Sequence, residues 1–167
     1  MELTIGSINA RGLGDRSKRR EFFNWLRKKQ MAMYFIQEAH CTENNMHDWR
    51  AEWGYQALFS CCSSKKAGIS YCLTILSPFK FREHTATLGG RYIICDLITN
   101  GKQLTLANIY APNNDDPTFF TSVFERLADF KFDEVIIGGD FNLVLDVEKD
   151  KKGGLCENPQ KIVGSHK

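Results

Sequence analysis

The segment Gly138-Gly139-Asp140-Phe141-Asn142 directly follows the apolar run Val135-Ile136-Ile137. A buried strand ending in two glycines delivers Asp140 and Asn142, two residues apart and therefore on one face, to its tip. A carboxylate beside an amide at a glycine-permissive bend suits activation of a water against a phosphate. Compatible groups close three other apolar runs: Asn9 after 3–8, Glu38 after 33–37 and Tyr110 after 103–109. Sites on mixed sheets gather where strands end and loops converge, so these residues are read together as one candidate site. Glu38 is the kind of oxygen ligand that Mg2+ takes while keeping several waters. His40 and His47 lie too far apart for adjacent helical turns and suggest no metal arrangement. Each residue also has a plain structural reading that its type and spacing leave open. Asn9 is compatible with turn chemistry, Glu38 with a solvent-facing strand end, Tyr110 with a packed aromatic, and Asp140 with Asn142 in an Asx turn.

The elements that must position these residues follow from periodicity. Residues 3–9 read as a strand entering the turn Ala10-Arg11-Gly12-Leu13-Gly14. Asp15 or Ser17 then caps a helix through Gln30, with Phe22, Phe23, Trp25 and Leu26 toward the core. Residues 33–37 form a short strand, and Asn44 or Asn45 opens a helix that Gly54 stops after Trp53. Strands are expected over 55–60, 69–76 (broken by Ser77-Pro78), 91–99 and 103–110, the last two joined by the hairpin dipeptide Asn100-Gly101. Pro117 opens a helix over 118–130 with Phe120, Val123, Phe124 and Leu127 on one face. Residues 134–137 are the buried strand ahead of the glycines, and 143–145 a further short element. Strands with intervening helices, then hairpins, then a helix and strand indicate a layered α/β domain over 1–146, with 147–167 a charged, irregular tail.

A chain of 167 residues, 43% hydrophobic and with twelve Phe, is the size of one domain with one substantial core. The net charge of +2 argues neither for nor against a polyanionic partner, but Arg11, Arg16, Lys18, Arg19, Arg20, Arg27, Lys28 and Lys29 crowd the first thirty residues. That stretch reads either as a phosphate-contacting surface or as a solvated helix face. The six cysteines form no CxxC pair and no zinc spacing, and several sit in apolar runs where a thiol acts as a small hydrophobe. No signal peptide and no apolar run of membrane-spanning length is visible. An intracellular setting, nuclear or cytoplasmic and not secreted, is therefore expected, without membrane association.

Five segments occur in order: Ser7-Ile8-Asn9-Ala10-Arg11-Gly12-Leu13, Ile36-Gln37-Glu38-Ala39-His40, Lys66-Ala67-Gly68-Ile69-Ser70, Asn108-Ile109-Tyr110-Ala111-Pro112-Asn113 and Gly138–Asn142. As a set they resemble successive motifs of the endonuclease/exonuclease/phosphatase superfamily, and most of all the apurinic-type endonuclease domain of LINE-type (non-LTR) retrotransposons. The likeness covers about residues 3–155. It implies a DNase I-like fold, a layered α/β sandwich of two mixed β-sheets flanked by helices, with the site at one edge. It implies Glu38 as ligand of Mg2+ (or Mn2+) with Asn9 beside it, and Tyr110 hydrogen-bonding the scissile phosphate. Asp140 would orient or deprotonate the attacking water, and Asn142 would hold that water or the oxyanion. Arg11, Arg16, Lys18 and Asn113 would contact DNA. The implied reaction is in-line hydrolysis of a DNA phosphodiester, the nick that primes reverse transcription in such elements. In the family, further strands, an Asp-containing motif and a Ser-Asp-His follow the Asp-Phe-Asn motif, and nothing through Lys167 matches them. Missing strands and the missing phosphate-contacting histidine predict weakened catalysis, exposed sheet edges and possible self-association through those edges. Two other functions stay open: an inactive relic or nucleic-acid-binding module, and a phosphatase or phosphodiesterase of the same superfamily.

Overall fold

The computed structural model describes residues 3–61, 69–73, 81–86, 89–99, 101–113, 116–131 and 133–143. The expected Lys66-Ala67-Gly68 motif, the Ser77-Pro78 break, Asn100, the element beyond 143 and the 147–167 tail lie outside these residues.

Two four-stranded mixed sheets pack face to face. The first has the order β1-β2-β4-β3, from Ile5–Asn9, Met33–Gln37, Ile69–Leu73 and Ala57–Ser60. The second has the order β5-β6-β7-β8, from Phe81–Ala86, Tyr92–Thr99, Lys102–Tyr110 and Glu134–Asp140. Strand β2 carries the alternation that builds both layers. Met33 and Phe35 enter the core between the sheets with Leu97, Leu104 and Leu106, while Tyr34 and Ile36 point to the helices. There they meet Phe23 and Leu26 of α1 (Arg16–Lys29) and Trp49 and Trp53 of α2 (Met46–Trp53). Helix α3 (Pro117–Ala128) buries Val123 and Leu127 in the core of the second sheet.

The helix boundaries have local causes. The Asp15 side chain accepts from Lys18 N at 2.8 Å, and Asp116 caps α3 ahead of Pro117, whose missing N–H costs nothing in a first turn. Gly54, at φ +79, ends α2 with its N–H on Arg50 O.

Three expectations are corrected by the packing, and one strand appears that the sequence did not announce. Trp25 is 44% exposed and stacks on Phe22, whereas α1 buries Arg19, Phe23 and Leu26. Arg19 goes inside because every part of it is partnered. Its guanidinium donates to Glu52 at 2.7 and 3.0 Å and to Leu13 O at 2.9 Å, and lies over the Trp49 ring. The same contacts hold the Glu52 carboxyl below its ordinary range, by the Arg19 hydrogen bond first and the Arg19 and Arg16 charges against burial. Phe124 is 55% exposed, one position round α3 from the buried Val123. The strand before the two glycines is an outer strand of its sheet, with Val135 and Ile136 each 38% exposed, and so is not fully buried. Finally β5, Phe-Arg-Glu-His-Thr-Ala, has no apolar alternation to announce it and is held as a strand by pairing with β6.

Candidate active site

In each sheet the two strands that carry the candidate residues run parallel and end together. Asn9 pairs with Gln37 at the end of β1 and β2, so Glu38 is the next residue out; Tyr110 pairs with Asp140 at the end of β7 and β8. Because β1 and β2 pack across β7 and β8, four strand ends from two sheets meet at one edge.

Hydrogen bonds join them there. The Asn9 amide Nδ2 donates to Glu38 Oε1 at 2.8 Å and to Asp140 Oδ2 at 3.0 Å, bridging two carboxylates. Tyr110 OH donates to the same Glu38 Oε1 at 3.0 Å. Asn9 Oδ1 accepts from Arg11 N at 3.0 Å, which settles which end of the amide faces the acids. Asp140 Oδ1 accepts from Asn142 N at 3.1 Å, and the Asn142 amide donates to Ala111 O at 2.6 Å. Turn chemistry and site chemistry therefore coexist, since Asn9 and Asp140 each spend one polar atom on their own turn and another on the cluster.

The loops that end these strands are strained in the same way. Arg11, Glu38, His40 and Asn142 all have φ between 47° and 60°, a left-handed conformation that costs a non-glycine residue of order 1 kcal/mol or more. The first loop is held by its neighbours. Gly12 N donates to Glu38 O, Leu13 N donates to Ala39 O, and the Lys18 ammonium donates to the carbonyls of Ala10, Arg11 and Gly12. Lys18 is thus turned onto the Asn9 loop. Arg16 is turned away to Glu52, at 3.2 Å, while Arg11 and Asn113 lie exposed on the loops after β1 and β7.

Tyr110 is buried, and its hydroxyl titrates above the usual phenol range. Burial is the main cause, followed by its hydrogen bond to Glu38 and the Glu38 charge, with Arg91 opposing. It is therefore kept as a neutral O–H donor. Glu38 is the group best placed for a cation: Oε1 takes both hydrogen bonds, and Oε2 takes none among the described residues. No cluster of three or more His, Cys, Asp or Glu among the described residues could close round a metal. The donor set fits Mg2+, which one or two carboxylates and several waters suffice to hold. Glu38 would be its ligand, with Asp140 across the Asn9 amide.

No known family's sequence profile matches the chain. It is 27% identical over 149 residues to the Transposon TX1 uncharacterized 149 kDa protein of Xenopus laevis, covering 87% of this chain and 11% of that protein. Among solved structures, D. rerio TDP2 complexed with single strand DNA product superposes with TM-score 0.64 and 19% identity, over 87% of this chain and 62% of that one. The endonuclease domain of TRAS1, a telomere-specific non-LTR retrotransposon, superposes with TM-score 0.59 and 15% identity, over 84% and 61%. The chain has the fold of the endonuclease/exonuclease/phosphatase superfamily. It spans less than two thirds of either solved neighbour.

Within that fold, three supporting residues were missed from the sequence. Gln37 and Asn108 sit one and two positions from Glu38 and Tyr110, and Gln37 Nε2 donates to Asn108 Oδ1 at 2.7 Å across the buried space between the sheets. This polar pin fixes the two halves of the site against each other. Its signal was a Gln and an Asn at core-facing positions of otherwise apolar strands. Gln37→Leu or Asn108→Leu is expected to cost about 1–3 kcal/mol by stranding the partner, and the double variant less than the sum of the two. Urea unfolding of the four proteins checks this, and simple additivity would remove the pin. Arg91 is the third. Its guanidinium lies 4.9 Å over the Tyr110 ring and donates to Ala111 O at 3.5 Å, and its carbonyl accepts from Tyr110 N.

Proposed function

We propose that this chain carries the site of an Mg2+-dependent endonuclease that hydrolyses DNA phosphodiesters, of the type that nicks target DNA in retrotransposition, with Mn2+ accepted in place of Mg2+. The observation that carries the reading is the Asn9 amide, which draws Glu38 of one sheet and Asp140 of the other into a single acidic cluster beside the Tyr110 hydroxyl. The transposon relative and the two DNA-processing neighbours support the choice of DNA. An intracellular location goes with that choice.

Bound Mg2+ would supply positive charge to the phosphate and to the developing oxyanion. The residues of the chain do the rest. Glu38 provides the anionic oxygen, and Asn9 orients that carboxylate and Asp140 at once. Tyr110, kept protonated, turns its single O–H from Glu38 Oε1 to a non-bridging phosphate oxygen when substrate binds. Asp140 accepts a proton from the attacking water, and Asn142, beside it at the strand tip, holds that water through its side-chain oxygen.

Asp140→Asn keeps the size of the side chain and removes the base, but turns one of its two accepting oxygens into an N–H donor that meets the Asn9 amide or Asn142 N. Its nicking of supercoiled plasmid in Mg2+ is expected to fall about 10²–10⁴-fold, with about 1–3 kcal/mol of stability lost in the same variant. A purified chain that nicks no faster than this variant has no such site. A non-catalytic DNA-binding reading is favoured by the exposed Arg16, Arg20, Lys28 and Lys29 on α1. It predicts salt-sensitive DNA binding without turnover in the same assay.

A further inference from the structure

A second set of reactive side chains lies behind the Glu38 loop. Cys41, fully buried, follows Glu38-Ala39-His40, and half-buried Cys61 directly follows Ser60, the last residue of β3. Their sulfurs are 3.0 Å apart, Cys61 donating to Cys41, and they are not joined by a disulfide. Cys41 donates in turn to Ser60 O at 3.8 Å. A disulfide needs its sulfurs about 2.0 Å apart, so closure asks for a movement of only about 1 Å.

We propose that Cys41 and Cys61 form a redox-active dithiol, a modification site that a peroxide closes into an intramolecular disulfide. The two thiols are unequal in the way such a pair needs. Cys61 is the accessible one, and its thiol titrates below the usual range. The Cys41 thiol is the main cause, because its S–H can turn from Ser60 O to the Cys61 thiolate, and the Arg50 charge helps, against burial and the Glu43 charge. Cys41 is the buried, resolving partner. The Cys61 thiolate attacks one peroxide oxygen; an S–O bond forms, the O–O bond breaks, and the departing hydroxide takes up a proton to become water. The Cys41 sulfur then attacks the Cys61 sulfenic sulfur. The S–S bond forms, the S–O bond breaks, and the hydroxyl leaves as water with the Cys41 proton. Two thiols lose two electrons and two protons, and one peroxide becomes two waters. The bond would close a loop containing all of α2 and tie the segment that presents Glu38 to the outer strand of its sheet.

The test treats the full chain with hydrogen peroxide, alkylates the remaining thiols and maps the digest by mass spectrometry, with fragmentation to separate Cys61 from Cys62. The expected product joins Cys41 to Cys61, is two hydrogens lighter than the reduced peptides, and disappears on dithiothreitol treatment. Cys95, fully buried in the inter-sheet core, stays a thiol. The oxidised chain should melt roughly 5–10 °C above the reduced one, a difference absent in Cys61→Ser and retained in Cys62→Ser. If Cys41 remains fully alkylatable after peroxide, or Cys61 is recovered paired to another cysteine or over-oxidised, the proposal is overturned. These readouts follow thiols and melting, so they stand whether or not the chain nicks DNA.

Discussion

Glu38→Gln is expected to weaken Mn2+ binding about a hundredfold or more and to abolish metal-dependent nicking with it, while leaving the fold in place. The carbonyl of the glutamine can still accept from Asn9 Nδ2 and Tyr110 OH, the two bonds that Glu38 Oε1 takes now. What changes is the other end of the side chain. An anionic oxygen that no other described residue engages becomes a neutral N–H donor directed where a cation would sit. A cation held by one or two carboxylates loses much of its binding energy when one becomes an amide, because water competes for the remaining positions at no penalty. Titration calorimetry with Mn2+ reads the binding, plasmid relaxation the activity, and a melting curve the fold. Unchanged Mn2+ affinity in a folded Glu38→Gln chain would remove Glu38 as the ligand, whatever happened to activity. Reading metal binding apart from turnover matters here, because a site can bind the ion without completing the reaction.

The second large effect is on stability. Gly139 has φ +134 and faces Ile109 across the parallel β7–β8 ladder, where a Cβ would stand 2.0 Å from Ile109 O and 2.7 Å from Ile109 N. Both are backbone atoms in a central strand and cannot turn aside. Alanine there also meets a backbone conformation that L side chains rarely adopt. Gly139→Ala is therefore expected to cost about 3–5 kcal/mol, a large share of the roughly 5–15 kcal/mol that holds a domain together. The damage falls on the site as well. Asp140 is the next residue, and its carbonyl accepts from Ala111 N at 2.8 Å while its carboxylate takes the Asn9 amide. Gly138→Ala is the control. Its Cβ would meet the Phe35 ring at 3.1 and 3.3 Å, a side chain that can shift, so about 1–2 kcal/mol is expected. Urea unfolding of both variants checks the contrast. Equal stabilities for the two would mean that close approach to the Ile109 backbone is not what these glycines are for.

The strand ends at which the candidate residues stand were legible because each is a local event. An apolar run long enough for a strand stops at a polar residue, and this happens at Asn9, Glu38, Tyr110 and Asp140 without reference to the rest of the chain. The helix start at Asp15 (or Ser17), the opening at Pro117 and the stop at Gly54 are local for the same reason, since helix ends are settled within a turn; that Asp116 caps the third helix came only from the structure. Resemblance of the ordered motifs supplied the two-sheet architecture that periodicity alone left as a layered α/β domain. Other features belong to contacts between distant segments. Arg19 is inside, and Trp25 outside, because Glu52 and Trp49 come from another helix. β5 is a strand only because β6 pairs with it. Gln37 meets Asn108 across a sheet interface seventy-one positions away in the chain.

What the sequence determined by itself is which residues stand at strand ends and what chemistry their types allow, because side-chain alternation and chain reversal depend only on near neighbours. The tertiary structure alone decided that the Asn9 amide faces Glu38 and Asp140 together, across 29 and 131 positions of chain. It also decided that Lys18 turns onto the Asn9 loop and that two cysteine sulfurs meet behind it. Those outcomes depend on how one sheet seats on the other, and that is set by summed packing over the whole core, which no short segment encodes.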